Sequence, residues 1–79
     1  MKIHEYYYND SNKILYVEFS TKEDGDSFYR VLEITYSDIA YYSTELITED
    51  DIMDMDEDFL KDILFGYFNE NDLPEEKSL

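Results

Sequence analysis

The side chains best able to do chemistry in this chain are the carboxylates crowded between Glu45 and Asp62, ELITEDDIMDMDEDFLKD. Nine acids stand there (Glu45, Glu49, Asp50, Asp51, Asp54, Asp56, Glu57, Asp58 and Asp62) against Lys61 alone, a formal charge of −8. Carboxylates can bind metal, move protons or present charge, and each use needs a different neighbourhood. Asp54-Met-Asp56-Glu-Asp58 opens like the D-x-D-x-D of a calcium loop. Such a loop needs glycine at its sixth position and a bidentate glutamate at its twelfth. Phe59 and Phe65 occupy those positions here. Zinc lacks ligands, because His4 is the sole histidine and there is no cysteine. No metal or cofactor is expected, and a small divalent-cation binder is kept only as an alternative.

Acid–base catalysis needs two carboxylates with separated pKa values in a cleft. With 21 acids in 79 residues, pairs arise by chance, and a chain this short rarely encloses a substrate. There is no G-x-S-x-G, no glycine-rich phosphate loop and no Ser/His/Asp constellation; Gly25 and Gly66 stand alone. His4 reads as a strand surface residue rather than a base. The chain is expected not to be an enzyme.

What remains for the acids is charge itself. Nucleic-acid binding has the wrong sign, since phosphate contacts need Lys and Arg patches. A net charge of −15 would also be repelled by anionic lipid headgroups. The sign suits a protein partner with a basic, nucleic-acid-binding surface. DNA carries a phosphate about every 3.4 Å along each strand. A helix showing acids every three or four residues presents them about 4.5 to 6 Å apart. On one helix, Asp51, Asp54, Asp58 and Asp62 fall in a row, with Glu49, Asp50 and Glu57 beside it. Phe65 points outward near the row as a candidate apolar anchor. Acid runs are ordinarily solvated faces that serve solubility. A net −15 is a large self-repulsion to carry for that purpose alone.

Elements must hold such a row in place. Met1–Tyr8 reads as a strand, with Ile3, Glu5 and Tyr7 on one face and His4, Tyr6 and Tyr8 on the other. Asn9–Asn12 is a turn cluster, and Lys13–Ser20 is a second strand, making an antiparallel hairpin. Thr21–Asp26 is a charged loop with Gly25 free to take positive φ. Ser27–Tyr36 is a third strand. Ile39–Ile47 is expected as a fourth, although one helical turn also fits its start. Tyr6, Tyr8, Tyr16, Tyr41 and Tyr42 are expected as an exposed aromatic sheet face or as cross-strand packing.

Thr48 with Asp51 is close to a capping box and starts a helix. Phe59, Leu60, Ile63, Leu64, Tyr67 and Phe68 mark an amphipathic helix. A single helix would place Asp56 on the buried stripe, where an unpaired carboxylate is costly. A break around Asp54–Asp56 is therefore favoured over one continuous helix. Asn69, Asn71 and Pro74 end the last helix.

The expected fold class is α+β: a three- to four-stranded antiparallel sheet, then one kinked or two consecutive helices packed on one face. Its core draws on Leu15, Val17, Phe19, Phe28, Leu32, Ile34, Phe59, Ile63, Leu64 and Tyr67. Residues 1–73 form one domain and 74–79 a frayed tail.

In size, charge, lack of cysteine and the run Glu45–Asp62, the chain resembles the small acidic inhibitors made by phages and mobile elements. These include anti-CRISPR and anti-restriction proteins and uracil-DNA glycosylase inhibitors, several of which imitate DNA. The resemblance carries no aligned motif, transfers no residue's role and implies no particular fold. It implies a non-enzymatic inhibitor of a host nucleic-acid-binding protein. An immunity protein or antitoxin covering a basic toxin is the alternative. The opening MKIHEYYYND has no apolar run, so a cytoplasmic location is expected. The oligomeric state stays open.

Overall fold

The computed structural model describes residues 1–43 and 47–76. Three strands, β1 (Lys2–Asn9), β2 (Ile14–Glu23) and β3 (Asp26–Thr35), form an antiparallel sheet in the order β1-β2-β3. Three helices follow: α1 (Tyr36–Tyr42), α2 (Glu49–Met53) and α3 (Glu57–Glu70). This is the α+β arrangement expected, with the helices after the sheet.

Local chemistry makes the two hairpins. In the first turn the Asn9 carboxamide oxygen accepts from the Ser11 N–H at 3.0 Å, and that of Asn12 accepts from the Ile14 N–H at 3.2 Å. Side chains that mimic backbone acceptors in this way fix a turn. The second hairpin is tighter than a loop over Thr21–Asp26. The ladder runs on to Glu23 opposite Asp26, leaving only Asp24 and Gly25 to turn, at φ 53° and 87°. Two consecutive positive φ values are what a two-residue turn between twisted strands needs, and Asp-Gly supplies them.

β1 does not alternate as the sequence suggests. Its register against β2 shifts between Ile3 and Glu5: Ile3 opposes Phe19, while Glu5 opposes Glu18. The extra residue, His4, is a bulge that reverses the phase of the strand. Ile3, Tyr6 and Tyr8 all pack on the core, and Tyr7 points outward to stack on Tyr16 at 5.1 Å between ring centroids. Tyr6 and Tyr8 are thus not part of an exposed aromatic face.

The expected fourth strand is also overturned where it can be seen. Tyr36–Tyr42 is helical, and residues 44–46 lie outside the described residues. Aromatic and β-branched residues favour a strand here, but the helix start is stronger. The Thr35 hydroxyl accepts from the Asp38 N–H at 3.3 Å, and Ile39 becomes fully buried on the face it shares with Tyr36 and Tyr42. The Cβ of an alanine at position 66 would lie 3.6 Å from the Tyr42 ring. That is ordinary van der Waals contact, so α1 packs closely on α3 at Gly66 and leaves room for a methyl group.

The core sits between one sheet face and the helices. It comprises Leu15, Val17, Phe19, Leu32, Ile34, Ile39, Ile47, Ile52, Leu60, Ile63 and Leu64. Among the described residues no polar or charged side chain is buried. Phe59 and Tyr67 line its margin rather than its centre. Phe28 lies outside it because Arg30, on the same face of β3, ends the apolar layer. The Arg30 guanidinium stands over the Phe28 ring at 5.9 Å, and its Nε donates to the Thr21 hydroxyl at 3.0 Å. Arg30 also donates to the Pro74 carbonyl and forms a backbone bridge with Glu76. Residues 74–76 of the expected tail thus lie against β3; residues 77–79 are outside the described residues.

Candidate acidic interface

Residues 48 to 62 fold as two helices because each has its own cap. At the start of α2 the Thr48 hydroxyl accepts from the Asp51 N–H at 3.3 Å, and the Asp51 carboxylate accepts from the Thr48 N–H at 3.0 Å. This reciprocal pair is a capping box. α2 ends after five residues with Asp54 as its C-cap. Asp56 then opens α3, its carboxylate accepting from the Phe59 N–H at 2.8 Å. The break expected at Asp54–Asp56 is present, and Asp56 is exposed at a cap rather than buried on an apolar stripe.

Two bonds pin the acidic segment to the sheet. The Tyr6 hydroxyl donates to the Met55 carbonyl at 3.3 Å, and Lys13 forms an ion pair with Glu49. The hydrogen bond to Glu49 raises the Lys13 ammonium above the usual lysine range. Beside them the Tyr8 hydroxyl is buried and makes no well-formed hydrogen bond among the described residues. Burial, and then the Glu49 carboxylate, push its pKa up.

The eight residues expected at the interface separate into two groups. Glu49, Asp51 and Glu57 have partners within the chain: Lys13, the Thr48 N–H and Lys61, the last at 3.7 Å. Asp50, Asp54, Asp58 and Asp62 are exposed, and none has an ion pair among the described residues. Phe65 is 74% exposed. The helix break divides the row. Asp51 and Asp54 belong to α2 and its end, while Asp58 and Asp62 are one turn apart on α3, about 6 Å along the axis. Only these last two share an unbroken helix face with Phe65.

Helix electrostatics explains some of these acids and not others. Acids stabilise a helix at its N-terminus and destabilise it at its C-terminus. Glu49, Asp50 and Asp51 lie in the first turn of α2, and Glu57 and Asp58 in that of α3. Asp54 caps the wrong end of α2, and Glu70 lies in the last turn of α3, where no basic residue answers it. Asp62 sits mid-helix, four residues from Asp58, a like-charge spacing that destabilises a helix. Asp54, Asp62 and Glu70 therefore do nothing for the helices that carry them.

The acids diverge. Among the described residues, no three carboxylate or imidazole groups converge as a metal site requires. A depression of about 780 Å³ lies on the open face of the sheet, and none of the acids between Glu49 and Asp62 lines it. There the strand register brings His4 Nε2 to 3.0 Å from the Ser20 hydroxyl, between Lys2 and Lys22. Sequence spacing could not reveal that pair, because a bulge sets it. Among the described residues no third group is hydrogen-bonded to that imidazole to orient it for nucleophilic chemistry. No helix among the described residues is long and apolar enough to cross a membrane. Compared with known proteins, the chain matches no family model, no curated protein and no solved structure.

Proposed function

We propose that this protein is a non-enzymatic inhibitor that occupies the positively charged nucleic-acid-binding surface of another protein. It does so as a DNA mimic, in the manner of an anti-CRISPR or other anti-defence protein encoded by a phage. The observation that carries this reading is the placement of Asp54 and Asp62. Both are exposed, neither has an ion pair among the described residues, and both stand where a carboxylate weakens its own helix. Charge held against the local interest of the fold is charge with another use.

On this reading Asp54, Asp58 and Asp62 stand in for phosphates, Asp51 adds its charge while capping α2, and Phe65 supplies an apolar contact beside them. Glu49, Asp50 and Glu57 deepen the field that speeds association. The partner is a protein with a basic groove; nucleic acid itself and membranes are not bound. The test is capture of partners from a candidate host lysate by the wild type and by a variant carrying Asp51→Asn, Asp54→Asn, Asp58→Asn and Asp62→Asn. Capture by the wild type that is lost in the folded variant is the expected result. Equal capture by both ends the proposal.

A further inference from the structure

We propose that the open face of the sheet carries a binding site for a phosphate group, free or as the monoester of a small molecule. The site is the depression of about 780 Å³ lined by Lys2, His4, Ser20, Lys22, Ser27 and Tyr29, a volume within the range of small-ligand sites. No acid lines it, in a chain where acids outnumber bases 21 to 6. Lys13, Arg30 and Lys61 each pair with a carboxylate, and Lys77 lies outside the described residues. Lys2 and Lys22 have no ion pair among the described residues, and both line this one depression. Cations left without a carboxylate among so many are available to an anion from outside.

The strand register builds the site. Lys22 stands opposite Ser27, and the next rank on the same face is Lys2, Ser20 and Tyr29, one from each strand. The bulge in β1 adds His4, whose Nε2 lies 3.0 Å from the Ser20 hydroxyl and whose ring lies 6.0 Å from that of Tyr29. Bulges beside sites re-aim side chains in this way. The rank beyond holds Glu5 opposite Glu18, with Val31. The open face thus passes from cationic to acidic along its strands.

The donor set selects phosphate among anions. Two ammonium groups, two serine hydroxyls and an imidazole can serve the several oxygens of one phosphate, and bonds between ionised partners are the strong ones. A carboxylate offers them fewer oxygens and less charge. The Glu5–Glu18 rank repels a second phosphate, so the site suits a single terminal group and not a polynucleotide backbone. The His4 and Tyr29 rings give a planar group attached to the phosphate an aromatic wall. The net charge of −15 opposes any anion at long range, but salt screens that repulsion beyond about 10 Å at 0.1 M. None of residues 49–62 lines the depression, and the site does not depend on the acidic interface.

The test is titration of the protein with inorganic phosphate, adenosine monophosphate and adenosine, followed by amide NMR, with sodium chloride at matched ionic strength as the blank. The two phosphates should shift the amides of Lys2, His4, Ser20, Lys22, Ser27 and Tyr29 saturably, and adenosine should not. Tighter binding of adenosine monophosphate identifies a monoester whose planar group lies on the rings; equal or tighter binding of inorganic phosphate identifies the free ion. Lys2→Gln combined with Lys22→Gln, both at exposed positions, should weaken binding roughly tenfold or more. No shift beyond the chloride blank, shifts centred elsewhere, adenosine binding as well as its monophosphate, or an affinity unchanged in the double variant each overturns the inference. None of these results bears on capture of a partner by the acidic segment.

Discussion

Asp58 and Asp62 have the same side chain four residues apart, yet different standing in the fold. Asp58 lies in the first turn of α3, where the helix dipole favours it. Asp62 has no such benefit, and its nearest helical neighbour of like spacing is Asp58. Lys61 is paired with Glu57 at 3.7 Å. Asp62→Asn should therefore raise stability by about 0.2–0.5 kcal/mol, the worth of one relieved like-charge pair on a helix. Urea denaturation checks this; a loss of stability would mean that Asp62 serves the fold and not a partner. The sequence places Asp51 both in the outward row with Asp62 and in a capping box with Thr48. The structure shows both bonds of that box, which ties up the Asp51 carboxylate and leaves Asp62 without such a role.

At the scale of elements, the contact of α2 with the first hairpin concentrates two titrating groups, Lys13 and Tyr8, around Glu49. Both have pKa values raised in the folded protein, Lys13 by its bond to Glu49 and Tyr8 by burial first. A group with a raised folded pKa adds stability in full below its unfolded value and loses it as pH rises through the folded one. Stability should thus hold up to about pH 10, the ordinary tyrosine value, and fall above it. Tyr8→Phe removes a buried hydroxyl that lies beside the Glu49 carboxylate and makes no well-formed hydrogen bond among the described residues, so it should cost little at neutral pH and make the alkaline decline shallower. Denaturation followed across alkaline pH tests both; a loss of about 1 kcal/mol at neutral pH would reveal a hydrogen bond to that hydroxyl. Elements also mark the limit of what the chain disclosed. Three strands, the caps at Thr48 and Asp56 and the amphipathic α3 were legible because each has a local signature. The His4 bulge was not, because one extra residue in β1 is defined only by its partner on β2. Helix α1 stands where the sequence favours the start of a fourth strand over one helical turn, because Ile39, Tyr41 and Tyr42 prefer extended backbone on composition. The Thr35 cap and burial of Ile39 decided otherwise.

The whole molecule divides its labour. Eleven apolar residues hold sheet and helices together, and among the described residues no charge is buried with them. Nearly all the excess charge is left on the surface, concentrated along the segment that runs from α2 into α3. The helix break bends that segment, so a partner would meet it as two short arrays, Asp51–Asp54 and Asp58–Asp62, with Phe65 beside the second. Net charge was evident in the sequence. The bend followed from Asp56, and the distinction between carboxylates that serve the helices and those that do not required the structure.

The central claim is that these carboxylates take the place of phosphates in a basic groove. It is tested most directly by titrating the captured partner with this protein while its duplex nucleic acid competes, at a series of salt concentrations. Mutually exclusive binding is expected, with a logarithmic affinity that falls linearly as salt rises, as it does when charges along a nucleic acid are matched by cations. Simultaneous binding of protein and nucleic acid, or an affinity indifferent to salt, would contradict it.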